Sequence, residues 1–160
     1  MNITNSKTER AFMIKNILMI CTGNICRSPM AEYYLKQQLT MSSQSLGIKV
    51  HSAGVGAVVD HPATDEAQIV LKKYNIECLE HRGRQINKQI IEESDLILAA
   101  EKGHKYNVLQ SFPTACGKIH RICENTDIPD PFRRPMRSFE NALEMIIQGL
   151  NSWNQKFNWY

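Results

Sequence analysis

The sequence predicts an α/β fold: a four-stranded parallel sheet with helices on both faces. Three observations lead there. Strand-like apolar runs alternate with helical periodicities from about residue 15 to the C-terminus, the pattern of repeated βαβ units. Asp95-Leu96-Ile97-Leu98-Ala99 is apolar without alternation, as expected of a strand covered on both faces. The first strand, Ile17-Leu18-Met19-Ile20, runs into a tight polar loop and then a helical pattern.

The elements follow in order. After the first strand a helix spans roughly 29–40, with Ala31, Tyr34, Leu35 and Leu39 on one face. A second strand around Ile48–Ser52 ends in the glycine-punctuated loop Ala53-Gly54-Val55-Gly56. Residues 63–74 carry Ala67, Val70, Leu71 and Tyr74 at helical spacing. The third strand is Asp95–Ala99, followed by a helix near 102–111 and a brief strand around Lys118–Ile122. A loop then carries Asp130. The last helix starts near Ser138, and Phe139, Leu143, Ile146, Leu150, Trp153 and Phe157 recur along it at three- and four-residue steps. In such sheets ligands bind beyond the carboxyl ends of the strands, where the strand order reverses.

The loop after the first strand, Cys21-Thr22-Gly23-Asn24-Ile25-Cys26-Arg27-Ser28-Pro29, lies at such an end. Backbone N–H groups of a short loop backed by a helix N-terminus bind a tetrahedral dianion. Arg27 adds a planar fork for two phosphoryl oxygens. Cys21 sits in the same positive field, which favours thiolate over thiol. Gly23 permits backbone geometry that a Cβ resists, and Asn24 tolerates a left-handed conformation. Ser28 is placed to cap the helix and Pro29 suits its first turn. An ordinary strand–turn–helix junction with a structural cysteine also fits part of this pattern. Strand, glycine, arginine and cap together point to phosphate.

Asp130 stands between Pro129 and Pro131, which stiffen its loop, and Phe132 could wall a substrate slot and keep the carboxyl partly dry. Placed beside Cys21, that carboxyl is a candidate general acid. Pro-Asp-Pro is also common turn chemistry, and this segment alone does not separate the two. Asp127 reads as loop solvation.

The chain has 160 residues, a formal net charge of +3 and five cysteines. That length suits one domain, assigned to residues 13–160 behind a polar, flexible tail at 1–12. No Lys/Arg cluster is dense enough for a nucleic-acid face, and no segment reads as a transmembrane span or signal peptide. A cytoplasmic protein is expected, with no nucleic-acid partner and no membrane insertion. An odd cysteine count gives no disulfide framework, and the spacing of Cys116 and Cys123 is poor for zinc, so neither metal nor cofactor is expected. Cys78, Cys116 and Cys123 read as buried or half-buried thiols. Cys26 shares the loop with Cys21, close enough in sequence for a reversible disulfide under oxidation.

Cys-Thr-Gly-Asn-Ile-Cys-Arg-Ser-Pro-Met-Ala-Glu at 21–32 closely resembles the active-site segment of the low-molecular-weight protein tyrosine phosphatases. Ser52-Ala53-Gly54, His81-Arg82-Gly83-Arg84-Gln85 and Ile128-Pro129-Asp130-Pro131-Phe132 agree, and the resemblance runs from Lys15 to the C-terminus. It implies a flavodoxin-like sheet of order 2-1-3-4. It implies hydrolysis of phosphotyrosine through a phosphocysteine, with Cys21, Arg27 and Asp130 catalytic and Thr22, Gly23, Asn24, Ile25, Cys26, Arg27 and Ser28 binding phosphate. Ile25 and Phe132 would line the substrate pocket, and Asn24, Ser28, Ser52 and His81 would support the loop. Cys21 and Cys26 would form the redox pair. The implied partner is a phosphotyrosine protein, specifically an autophosphorylated bacterial tyrosine kinase of capsule or exopolysaccharide export, met by a monomer.

Two relatives share nearly the same loop, and a binding module without turnover is a further reading. Arsenate reductases of this fold lack the Asp-Pro acid and use a downstream cysteine pair; Cys116 and Cys123 have that pair's spacing but come too late in the chain. Protein arginine phosphatases carry Thr where this chain has Ile25, whose apolar side chain suits a phenyl ring. A phosphotyrosine-binding module without turnover would lack one of Cys21, Arg27 or Asp130, and all three are present.

Overall fold

The computed structural model describes residues 14–44 and 47–160; the tail expected at 1–12 lies outside them. Four strands, β1 (Asn16–Cys21), β2 (Lys49–Gly54), β3 (Leu96–Ala99) and β4 (Ile119–Arg121), form one sheet in the order β2-β1-β3-β4. All neighbouring pairs are parallel, as expected. Five α-helices connect and follow them: α1 (Arg27–Met41), α2 (Asp65–Lys72), α3 (Lys88–Glu93), α4 (Lys102–Ser111) and α5 (Met136–Phe157).

β1 is buried on both faces, so its side chains divide by parity. Ile17, Met19 and Cys21 face a core shared with Met30 and Leu35 of α1, Leu71 of α2, and Leu143 and Leu150 of α5. Leu18 and Ile20 face the other way, onto Ile97, Ala99 and Ile119, beneath Ile91 of α3 and Val108 of α4. Burying each such Leu or Ile stabilises the fold by about 1.5–3 kcal/mol, and β1 contributes to both cores. The chain leaves β1 for β2 on one side and reaches β3 on the other, so the order reverses at the β1 carboxyl end. The loop that begins at Cys21 opens there.

Several boundaries differ from expectation. α1 begins at Arg27, and Ser28 does not cap it: Cys26 is the N-cap and makes no side-chain capping bond. The Ser28 hydroxyl is drawn inward instead. α2 stops at Lys72, so Tyr74 lies past the helix and is 42% exposed. α3 has no counterpart in the sequence pattern; six residues are too few for a periodicity, although Asn87 caps it by accepting the Ile90 N–H at 2.9 Å. α5 starts at Met136, directly after Pro135. Cys116, expected to be covered, is exposed.

Candidate active site

Six consecutive carbonyls of the loop are tied outward. Those of Cys21, Thr22 and Gly23 accept the N–H groups of Val55, Gly56 and Val58, each at 3.0 Å. The Asn24 carbonyl accepts from His81 Nε2 at 2.7 Å. The Ile25 and Cys26 carbonyls accept from Thr64 and Met30 N–H at 2.9 and 3.1 Å. Among the described residues, the N–H groups of Gly23 through Ser28 find no acceptor. With every carbonyl turned away, the amides face the hollow of the loop and the start of α1 adds the positive end of its dipole. Close backbone contact makes this possible. A Cβ on Gly54 would lie 2.4 Å from the Thr22 carbonyl oxygen, and one on Gly83 would lie 2.3 Å from that of Val58.

The curl of the loop depends on Asn24, which is fully buried with φ of 57°. Gly23, expected to share that role, has an ordinary φ, so the left-handed turn is carried by Asn24 alone. Its side-chain NH2 donates to Ser28 Oγ at 2.8 Å and Ser52 Oγ at 2.9 Å, and its Oδ1 accepts the Arg84 N–H at 2.9 Å. Ser52 in turn donates to Glu32, and Arg84 Nε donates to the Ser52 carbonyl at 2.8 Å. This sets a direction. Ser28 Oγ receives a proton from Asn24, so its own hydrogen is free for Cys21 Sγ, 2.9 Å away. An O–H donated to sulfur stabilises thiolate. His81 is held neutral, its affinity for a second proton lowered by burial despite the nearby Glu32. The four expected supports, Asn24, Ser28, Ser52 and His81, therefore meet in one network.

Arg27 is also fully buried. Its Nη1 pairs with Glu101 and donates to the Ile128 carbonyl at 2.7 Å, while Nη2 lies 3.5 Å from Asp130 Oδ2. Nε is buried without a partner. An unsatisfied buried guanidinium N–H beside the loop amides is a donor suited to an anion. Asp130 Oδ1 accepts the Phe132 N–H at 3.1 Å, which fixes the carboxyl's direction. The partly dry carboxyl expected here is not found: half of the Asp130 side chain is exposed, as is 43% of Phe132. Asp127 does more than solvate its loop. It accepts the Lys102 N–H at 2.8 Å and pairs with Arg121 at 2.9 Å, and both bonds hold its carboxyl below the usual range.

The pocket over this loop holds about 180 Å³, with Cys21 and Arg27 among its lining, Ile25, Val58 and Phe132 as apolar walls, and Asp130 beside them. Cys26 is buried and its thiol is pushed up to about 12 by desolvation, with its sulfur 3.5 Å from Thr64 Oγ1. Sequence reasoning missed Glu32, Glu101, Val58 and His104, and found no partner for Arg84. Glu32 lies one helical turn after Ser28 on α1, a spacing that points it back at the same network. Glu101 follows the carboxyl end of β3, where a charged residue after a buried strand signals a site. Among the described residues, no cluster of three His, Cys, Asp or Glu side chains could hold a metal ion.

The profile of the family Low molecular weight phosphotyrosine protein phosphatase matches residues 16–159. The Escherichia coli K12 protein Etp, named a low molecular weight protein-tyrosine-phosphatase, is 35% identical over 146 residues, covering 89% of this chain and 95% of its own. Among solved structures, Vibrio vulnificus Wzb in complex with benzylphosphonate superposes with a TM-score of 0.82 at 32% identity, covering 89% of this chain and 99% of the other. The YwlE arginine phosphatase of Geobacillus stearothermophilus has a TM-score of 0.77 and 37% identity, covering 88% and 93%. Cysteine loop, sheet order and family profile agree over nearly the whole described chain, which belongs to the low molecular weight phosphotyrosine protein phosphatases and is a phosphatase enzyme.

Proposed function

We propose that residues 13–160 act as one unit that hydrolyses phosphotyrosine in proteins through a phosphocysteine. The observation that carries this reading is the ring of unpaired amides around Cys21, with Ser28 directing its proton at the sulfur. The Cys21 thiolate attacks phosphorus in line, forming the S–P bond as the P–O bond to the leaving group breaks. Asp130 gives its proton to the departing oxygen. Water then attacks the phosphocysteine, Asp130 takes up a water proton, and the S–P bond breaks to return thiolate and inorganic phosphate. The Arg27 guanidinium and the loop amides hold the charge on the equatorial oxygens in both steps.

Ile25, Val58 and Phe132 supply apolar surface suited to a phenyl ring, which favours tyrosine. The alternative, a protein arginine phosphatase, draws support from the likeness to the Geobacillus enzyme, but the apolar Ile25 offers a guanidinium no hydrogen bond. The segment Ser52-Ala53-Gly54-Val55-Gly56-Ala57 resembles that of bacterial phosphatases of capsule and exopolysaccharide export, which supports an autophosphorylated tyrosine kinase as the partner of a cytoplasmic, monomeric enzyme. Cys26 serves as the resolving thiol after peroxide oxidises Cys21 to a sulfenic acid: the Cys26 sulfur attacks the Cys21 sulfur, the S–O bond breaks, the thiol proton leaves with the oxygen as water, and a disulfide forms.

Turnover of phosphotyrosine and phosphoarginine peptides by wild type, Cys21→Ser and Ile25→Thr tests the core of this reading. Phosphotyrosine should be preferred by the wild type, Cys21→Ser should be inactive, and Ile25→Thr should move the ratio toward phosphoarginine. Faster phosphoarginine turnover by the wild type would overturn the tyrosine assignment. Undiminished hydrolysis by Cys21→Ser would remove the mechanism.

A further inference from the structure

His104, in the first turn of α4, is buried although nothing in the catalytic cycle uses it. Its Nδ1 accepts the backbone N–H of Glu101 at 3.2 Å, and its Nε2 lies 2.8 Å from Thr22 Oγ1. A ring nitrogen that accepts an N–H must present a lone pair, so the neutral imidazole carries its proton on Nε2. That proton is donated to Thr22. The Thr22 hydroxyl is thereby used as an acceptor, and its own hydrogen is left for the pocket that Thr22 lines. Glu101, the other residue His104 holds, is the partner of Arg27. One side chain thus touches the start of the loop directly and its arginine through a single intermediary.

We propose that His104 is a positioning residue for the phosphate loop, setting the direction of the Thr22 hydroxyl and the seat of Glu101 beneath Arg27. Protonation of Nδ1 would set two N–H groups against each other at Glu101 and release that seat. The groups facing the ring are Arg27, Glu101, Asp127 and Asp130. Burial and then Arg27 oppose a positive charge on it, and the three carboxylates act the other way, with the balance toward the neutral form. The inference rests on the phosphatase reading.

The substitutions His104→Asn and His104→Gln separate the two contacts. The Asn oxygen stands where Nδ1 does, so it keeps the Glu101 bond and cannot reach Thr22; the longer Gln amide restores a neutral donor toward Thr22 and cannot titrate. We expect His104→Asn to lower kcat/KM for an aryl phosphate by about three- to tenfold, the worth of one hydrogen bond, with melting unchanged. His104→Gln should recover most of the loss. Thr22→Ala should cost the same in wild type and nothing further in the His104→Asn background, whereas Thr22→Ser, which keeps the hydroxyl, should lose less than Thr22→Ala. Wild-type kinetics in His104→Asn, or losses that multiply in the double variant, would overturn the proposal. If His104→Asn melts early, Thr22→Ala against Thr22→Ser decides alone: equal rates refute it. Cys21→Ser is run alongside; activity there would fault the phosphatase reading, while a dead Cys21→Ser beside an unaffected His104→Asn would fault His104 only.

Discussion

Replacing Asn24 by alanine removes no reacting group, yet it should impair both stability and turnover. The side chain makes three hydrogen bonds, buried ones to Ser28 and Ser52 and a partly buried one from the Arg84 N–H. At about 1 kcal/mol each, with roughly 1 kcal/mol more for an alanine at positive φ, the expected loss is about 3–5 kcal/mol. For a chain of this size that lowers the melting temperature by on the order of 10 °C. Turnover should suffer separately. Without the Asn24 donor, the Ser28 hydroxyl is no longer obliged to point its hydrogen at Cys21. Losing one hydrogen bond to a charged sulfur costs about 1.5–3 kcal/mol, or roughly 10- to 150-fold in rate. The comparison variant is Asn24→Asp, which is nearly isosteric but accepts where Asn24 donates, so it should recapture the Ser28 proton and lose activity as well. Urea unfolding and steady-state hydrolysis of p-nitrophenyl phosphate, measured well below the melting range, give both quantities. Turnover of Asn24→Ala within twofold of wild type would refute the directed network.

Glu101→Gln should keep the fold and lower kcat about five- to tenfold, because Arg27 loses its charged partner and with it part of its orientation; an unchanged kcat would mean that the Ile128 carbonyl suffices. Gly83→Ala should destabilise by about 1–3 kcal/mol in urea, since its Cβ meets the Val58 carbonyl at 2.3 Å and backbone must move. His81 and His104 both bind a proton less readily when folded, chiefly through burial. The unfolded chain then takes up more protons, so stability should be full above the ordinary histidine value of about 6.5 and fall as pH drops below it. Denaturant midpoints from pH 7.5 to 5 check this, and a flat profile would be the contrary result. Cys26→Ala should leave peroxide inactivation of the enzyme irreversible by dithiothreitol, where wild type recovers.

The parallel sheet was legible because β1 and β3 are apolar on both faces and the helical stripes are wide, α5 most plainly, whereas its strand order came from the resemblance to the family. The loop was legible because Cys21, Asn24, Arg27 and Ser28 each have a chemical reason to stand where they do. What escaped was long-range pairing. Glu101 meets Arg27 across 74 positions and His104 meets Thr22 across 82, and no local pattern encodes such contacts. Ser28 shows the limit of local reasoning: it has the chemistry of a cap, yet the deeper pull of Asn24 and Cys21 turns it inward. α3 was invisible for a simpler reason, its length.

Five of the six loop carbonyls are held by main-chain N–H groups and the sixth by the His81 ring, and one asparagine sets the curl. The exposed side chains at Val58 and Phe132 wall the pocket and give no hydrogen bond to that scaffold. Recognition of the anion is therefore separable from recognition of whatever carries it. Substitutions at these two positions can retune which ester enters without rebuilding the chemistry below, so this architecture is a ready starting point for redesigned substrate choice by single exchanges.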